Sequence, residues 1–106
     1  MDGEAAGDFA MHAPAATGFG RIDRYRAHYR RRTFPRHAHG YYAFAAIEAG
    51  AERIFVRGRE HVVAPGGAVL LNPGDVHTGA PFDARGWTYS MLVVEEAQMA
   101  ELMRRH

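Results

Sequence analysis

Polar and apolar residues alternate with period two along most of this chain, the mark of strands that bury one face. In residues 24–30, Tyr25, Ala27 and Tyr29 fall on one side and Arg24, Arg26, His28 and Arg30 on the other. After Pro35, which marks a strand start or an edge, residues 37–48 are apolar in both registers: His37, His39, Tyr41, Ala43, Ala45 and Ile47 against Tyr42, Phe44 and Ala46. That predicts one long strand covered on both faces. Ile54 and Val56 alternate with Arg53, Phe55 and Arg57, and Gly58-Arg59 turns the chain into 60–64, making a hairpin. A Pro65-Gly66-Gly67 turn, a short buried strand at 68–71 and an Asn72-Pro73-Gly74-Asp75 loop follow. In the last strand Trp87, Tyr89, Met91 and Val93 share a face that Thr88 and Ser90 oppose. Turn signals recurring about every eight to twelve residues point to a sandwich or small barrel of some seven or eight strands.

The period changes at Glu95. Residues 95–106 are mostly good helix formers, with acids first and bases last as the helix dipole favours. So short a helix is marginal alone. It either packs on the barrel or a second subunit through Met99, Leu102 and Met103, or is the start of a longer helix. Residues 1–20, rich in Ala, Gly, Pro and Asp, show neither period and predict a flexible N-terminal arm with Phe9 and Phe19 as its hooks. The chain thus divides into an arm at 1–20, an antiparallel β-barrel at 21–94 and a C-terminal helix at 95–106.

Composition narrows the chemistry more than the fold. With 106 residues and 47 % apolar content there is material for one core. Arginine supplies all 13 basic residues, yet the net charge of +1 offers no general attraction to polyanions. Six arginines fall in residues 24–36, which reads better as a solvated edge that discourages strand pairing than as a phosphate patch, because no lysine or asparagine accompanies them. The absence of cysteine excludes disulfides, thiolate metal sites and a thiol nucleophile. An acidic N-terminus and no run of 18 apolar residues predict a cytoplasmic protein with no membrane span.

The candidate site is histidine-based. Side chains two apart on a strand point the same way, so His37 and His39 can converge, and His77 can join them across a barrel. Three imidazoles can hold Zn, Fe, Ni or Cu with positions left open, can exchange hydrogen bonds with a small ligand, or can be satisfied by backbone. Tyr41, Trp87 and Tyr89 can line the same cavity with apolar faces and polar tips, or be plain core. Glu48, Glu60 and Asp75 stand at turns and form no paired-carboxylate site, Asp75 organising its loop, and no catalytic residue is assigned. His12, His28, His61 and His106 are left outside the site.

These pieces carry a resemblance. Phe34-Pro35-Arg36-His37-Ala38-His39-Gly40 and Pro73-Gly74-Asp75-Val76-His77 resemble the two motifs of the cupin superfamily, a jelly-roll-like antiparallel barrel. Metal cupins follow H-x-H with a glutamate ligand; here Ala43 and Phe44 stand in its place, and Pro81 stands where an asparagine is common. From about residue 25 to 96 the chain more closely resembles the N-terminal, cupin-like effector-binding and dimerisation domain of AraC-type bacterial transcription regulators. The Asn72-Pro73-Gly74-Asp75-Val76-His77-Thr78-Gly79 run followed by Gly86-Trp87-Thr88-Tyr89 is its most discriminating part.

The resemblance implies a small-molecule effector in the barrel, contacted by His37, His39, Tyr41, His77, Trp87 and Tyr89, and a homodimer. DNA contact is then expected only through a C-terminal helix-turn-helix domain absent from these residues. No cofactor is expected and no enzymatic activity. The alternative is a small metal-dependent cupin enzyme, a dioxygenase or isomerase, with a divalent Zn, Fe or Ni on His37, His39 and His77. A third reading is a structural β-domain that dimerises through Tyr42, Phe44 and the helix.

Overall fold

Alternation becomes architecture as two facing antiparallel sheets. The computed structural model describes residues 7–18 and 20–105. Among them the strands are β1 (Phe9–Thr17), β2 (Gly20–Tyr29), β3 (Phe34–His37), β4 (Tyr41–Gly50), β5 (Glu52–Val56), β6 (Arg59–Val63), β7 (Ala68–Leu71), β8 (His77–Pro81) and β9 (Trp87–Glu95), followed by helix α1 (Glu96–Arg105). One sheet runs β1-β2-β9-β4-β7 and the other β3-β8-β5-β6. The fold is mostly β with one short terminal helix, as the periodicity predicts. The inward faces of β2, β5 and β9 are those assigned by alternation: Ala27, Tyr29, Ile54, Val56, Trp87 and Val93 are buried.

Two strands and one turn differ from expectation. Residues 1–20 read as an arm without a period, yet Phe9–Thr17 is a strand in register with β2 from Phe9 opposite His28 to Thr17 opposite Gly20. Its order comes from its partner and not from its own pattern. Phe9 stacks on His28 beneath the Arg26 guanidinium, and His12 binds Asp23 at 2.9 Å and stacks on Tyr25. As the edge of the sheet, β1 tolerates Pro14, which has no ladder donor to give. Phe19, the second predicted hook, and His106 lie outside the described residues.

The long strand expected over 37–48 is instead two. β3 ends at His37 in one sheet and β4 begins at Tyr41 in the other, the chain changing sheets through 38–40. Gly74 N–H donates to His39 O at 2.8 Å across this crossing. Further along β4 the register with β9 slips between Ile47 and Ala49, a bulge at the exposed Glu48. The β5–β6 turn also sits one residue earlier than expected: Arg57 (φ 50°) and Gly58 (φ 77°) both take positive φ, as a two-residue hairpin turn requires.

The core lies between the sheets in two clusters. Ala27, Tyr29, Ile47 and Trp87 pack with Phe34 and Tyr89, while Ile54, Val56 and Val69 pack with Ala45 and Leu71. Helix α1 is lightly held: Met99 and Leu102 are half-buried, and Met103 is exposed.

Candidate functional site

The sheet crossing and the loop before β8 bring the three motif histidines together. His37, last in β3, pairs with His77, first in β8, and their ring centroids are 4.3 Å apart. His39, in the crossing segment, lies 4.7 Å from His37 and 5.1 Å from His77. One ring nitrogen from each falls within 4.8 Å of the others. The backbone sets two tautomers. Nδ1 of His37 is 2.6 Å from Pro35 O and Nδ1 of His77 is 3.0 Å from Asp75 O. A carbonyl only accepts, so each Nδ1 carries the proton and each Nε2 keeps a free lone pair. His39 instead stacks on Tyr41, centroids 4.6 Å apart and planes at 12°.

Asp75 makes this loop rigid, in keeping with its place in the Pro-Gly-Asp turn. Its Oδ2 accepts from Asn72 N–H at 2.9 Å and from Arg57 Nη1 at 2.5 Å. The carbonyl that orients His77 is therefore itself held in place.

The imidazoles stand in the wall of a cavity of about 190 Å³ between the sheets. All six residues expected at a ligand site, His37, His39, Tyr41, His77, Trp87 and Tyr89, line it, with Ile54, Val69, Leu71 and Met91 as apolar wall. Since a cavity of about 150 Å³ accommodates benzene, this one has room for a small molecule of at least that size. Burial is the main influence on its titratable groups. It holds His39 below the usual imidazole range, with His37 and His77 adding to the effect, and lowers His77 against the opposing pull of the Asp75 carbonyl. Neutral imidazole is the form that ligates a metal or accepts a hydrogen bond. Burial, with smaller contributions from Tyr29 and Glu52, pushes the Tyr89 hydroxyl up to about 12, so it stays a neutral donor. The Trp87 Nε1–H is buried and has no hydrogen-bond partner among the described residues.

One titratable cavity residue was not anticipated. Glu52, at the start of β5, lines the same space, and burial alone pushes its carboxyl up to about 7. Its signal lay in the alternation, since Glu52 shares parity with the buried Ile54 and Val56.

Three convergent imidazoles, two of them with tautomers set by backbone carbonyls, suit a transition metal. The positions at which metal cupins carry their carboxylate do not contribute: Ala43 is buried backbone-paired core, and Phe44 faces an outer groove. Glu48 is occupied elsewhere, and in mid-strand rather than at a turn: its carboxylate takes a bidentate hydrogen bond from Arg26 and another from the Ser90 hydroxyl. The residues present thus fit a three-histidine centre open to ligand. The other described histidines stay outside it, His12 on Asp23, His28 on Thr88 Oγ1 at 2.8 Å and His61 exposed.

A family model described as the AraC-like ligand binding domain matches residues 19–106. Over 61 residues, 58 % of the chain, the sequence is 34 % identical to the HTH-type transcriptional regulator YbfI of Bacillus subtilis (strain 168), of which the match covers 22 %. The chain therefore spans about a fifth of that curated relative. Among solved structures, KdgF from Halomonas sp. superposes with a TM-score of 0.68 at 13 % identity, covering 93 % of this chain and 91 % of that one. A Cupin 2 conserved barrel domain protein from Salinispora arenicola CNS-205 gives 0.71 at 16 % identity, covering 96 % and 87 %. The DMSP lyase DddQ from Ruegeria pomeroyi DSS-3 gives 0.69 at 16 % identity, covering 90 % and 53 %. At such identities the likeness is one of fold, the cupin barrel.

Proposed function

The chain belongs to the AraC-like ligand binding domain family, and from that premise we propose that it is the small-molecule sensing part of a transcription regulator. The observation that carries this reading is the cavity of about 190 Å³, part apolar and part lined by convergent polar groups, between two sheets. An effector lodged there touches β3, β4, β8 and β9 at once, and α1 continues directly from β9. A ligand that binds one arrangement of these elements better than another shifts the population toward it, and α1 is the route by which the shift reaches a DNA-binding part of the regulator. A homodimer and a cytoplasmic setting belong to the same reading. The first is supported by an outer-face groove where Leu70 and Leu92 are exposed beside Phe44. Among the described residues no helix is long and apolar enough to cross a membrane.

The test is thermal unfolding against a panel of small metabolites, with oligomeric mass read by light scattering. At 100 times its Kd a ligand stabilises the folded state by about 2.7 kcal/mol, so a true effector is expected to raise Tm by roughly 10 °C. No shift from any compound, with the mass unchanged throughout, sinks the proposal.

A second reading, a metal-dependent cupin enzyme, is favoured by the convergence of His37, His39 and His77. A metal held there would act as a Lewis acid on a bound oxygen or nitrogen, with Nε2 of His37 and His77 and one ring nitrogen of His39 as ligands. Elemental analysis of protein purified without added metal, beside a His37→Ala, His39→Ala double variant, separates the two readings. The sensing role predicts no stoichiometric transition metal in either protein. Near one equivalent, lost in the variant, would favour the enzyme and call for oxygen-consumption and isomerisation assays.

A further inference from the structure

We propose that Glu52 is the anchor for a cationic N–H group, a protonated amine, on the small molecule that enters this cavity. The inference rests on the sensing role proposed above and adds the chemical class of the effector.

Glu52 stands opposite Val63 on one side and Pro81 on the other, directed into the space between the sheets. One carboxylate oxygen lies 3.1 Å from the point where a Cβ would sit on Gly79, so the glycine makes room for the acid. Around it the wall is mostly aliphatic and aromatic. Among the described residues Glu52 has no hydrogen-bond or ion-pair partner, and the arginines nearby are directed elsewhere. Arg53 points to the opposite face, over the Phe82 ring at 5.5 Å, and Arg32 lies over Tyr29 and Phe34 at 5.3 and 4.9 Å. Arg57 is committed to Asp75.

An acid withdrawn from water without a cation costs folding free energy, and a cation brought by a ligand recovers it. A hydroxyl donor recovers less, because it leaves the charge uncompensated. Aromatic residues line the same cavity, Trp87 and Tyr89 among them, and aromatic rings attract an ammonium.

Titration calorimetry with a size-matched series tests this: primary amines from ethylamine to benzylamine, with the corresponding alcohols and carboxylates, against the wild type, Glu52→Gln and Glu52→Asp at about pH 8. The amines are expected to bind the wild type at least tenfold more tightly than the alcohols. Glu52→Gln should abolish that preference while leaving alcohol affinity within about twofold, and Glu52→Asp should keep part of it. Alcohols binding as well as amines, or amines indifferent to Glu52→Gln, overturn the proposal. If the amines fail while another metabolite stabilises the protein, the anchor is wrong and the sensing role survives. If nothing binds, both fall.

Discussion

Gly86→Ala is expected to destabilise the domain by about 4 kcal/mol or more, a large part of the roughly 5–15 kcal/mol that holds a domain of this size folded. Gly86 has φ +74°, where an L side chain is already strained, and a Cβ built on it meets Tyr29 O at 2.2 Å and Arg30 Cα at 2.7 Å. Those are backbone atoms of a paired strand end and cannot swing aside as a side chain would. Gly50 repeats the arrangement one layer on: its φ is +69°, a Cβ there would lie 2.1 Å from Gly86 O, and Ala51 N–H donates to that same oxygen at 3.4 Å. Bare backbone thus stacks from β2 through Gly86 to Gly50, and this close approach seats Trp87, 2 % exposed, at the base of the cavity. Urea unfolding checks the expectation, with Gly58→Ala as control. Gly58 has φ +77° but nothing within 4 Å of its added Cβ, so it should lose only the conformational term of about 1–2 kcal/mol. Losses within about 1 kcal/mol of each other would show that the stacking carries little weight.

That stack is also where a sequence reading runs out. Gly86 was legible as the residue before an alternating strand, but nothing in its neighbours says that Tyr29, far away in the chain, closes over it. The same limit explains β1. Phe9–Thr17 is small, mostly exposed on both faces and without period, and only pairing with β2 makes it a strand. Where a strand buries one face, as in β2 and β5, parity placed the inward residues correctly, whereas β9 also buries Thr88 and Val94 on its other face. At Gly40 parity had nothing to register, because His37, His39 and Tyr41 keep one alternation across the point where the chain changes sheets. His37 and His39 nevertheless meet, brought together by the crossing segment and its hydrogen bond to Gly74 rather than by a shared strand face. The motif spacing foretold the meeting without the path. Glu52 is the reverse case: its parity with Ile54 and Val56 was plain, yet an acid at the mouth of a strand is ordinarily solvated, and the aliphatic floor beneath it comes from β4 and β7.

Glu52→Gln should make the ligand-free protein more stable, by about 2–3 kcal/mol near pH 8, with the gain vanishing toward pH 4.5. The carboxyl titrates at an ordinary 4.5 in the unfolded chain and at about 7 in the fold. Between those values the folded state keeps a proton that the unfolded state has released. Stability therefore falls as pH rises through this window and levels off above about 7. At about 1.36 kcal/mol per pH unit the full interval is worth roughly 3 kcal/mol, and water reaching the cavity brings it nearer 2. His39 and His77 act in the opposite sense. Their folded values lie below the ordinary 6.5, so the unfolded chain takes up protons first as pH falls and stability is lost on the acid side. Comparing wild type and variant at each pH cancels that contribution, because both keep the imidazoles. Glutamine preserves the shape and hydrogen-bonding capacity of the protonated acid and removes only the ionisation. Urea unfolding at about pH 4.5, 6 and 8 should give a difference that grows with pH. A difference independent of pH, or a variant weaker at pH 8, would mean that the carboxyl is not desolvated in the fold. A growing difference identifies an acid held against the stability of the empty domain, as expected of a group whose partner arrives with the ligand.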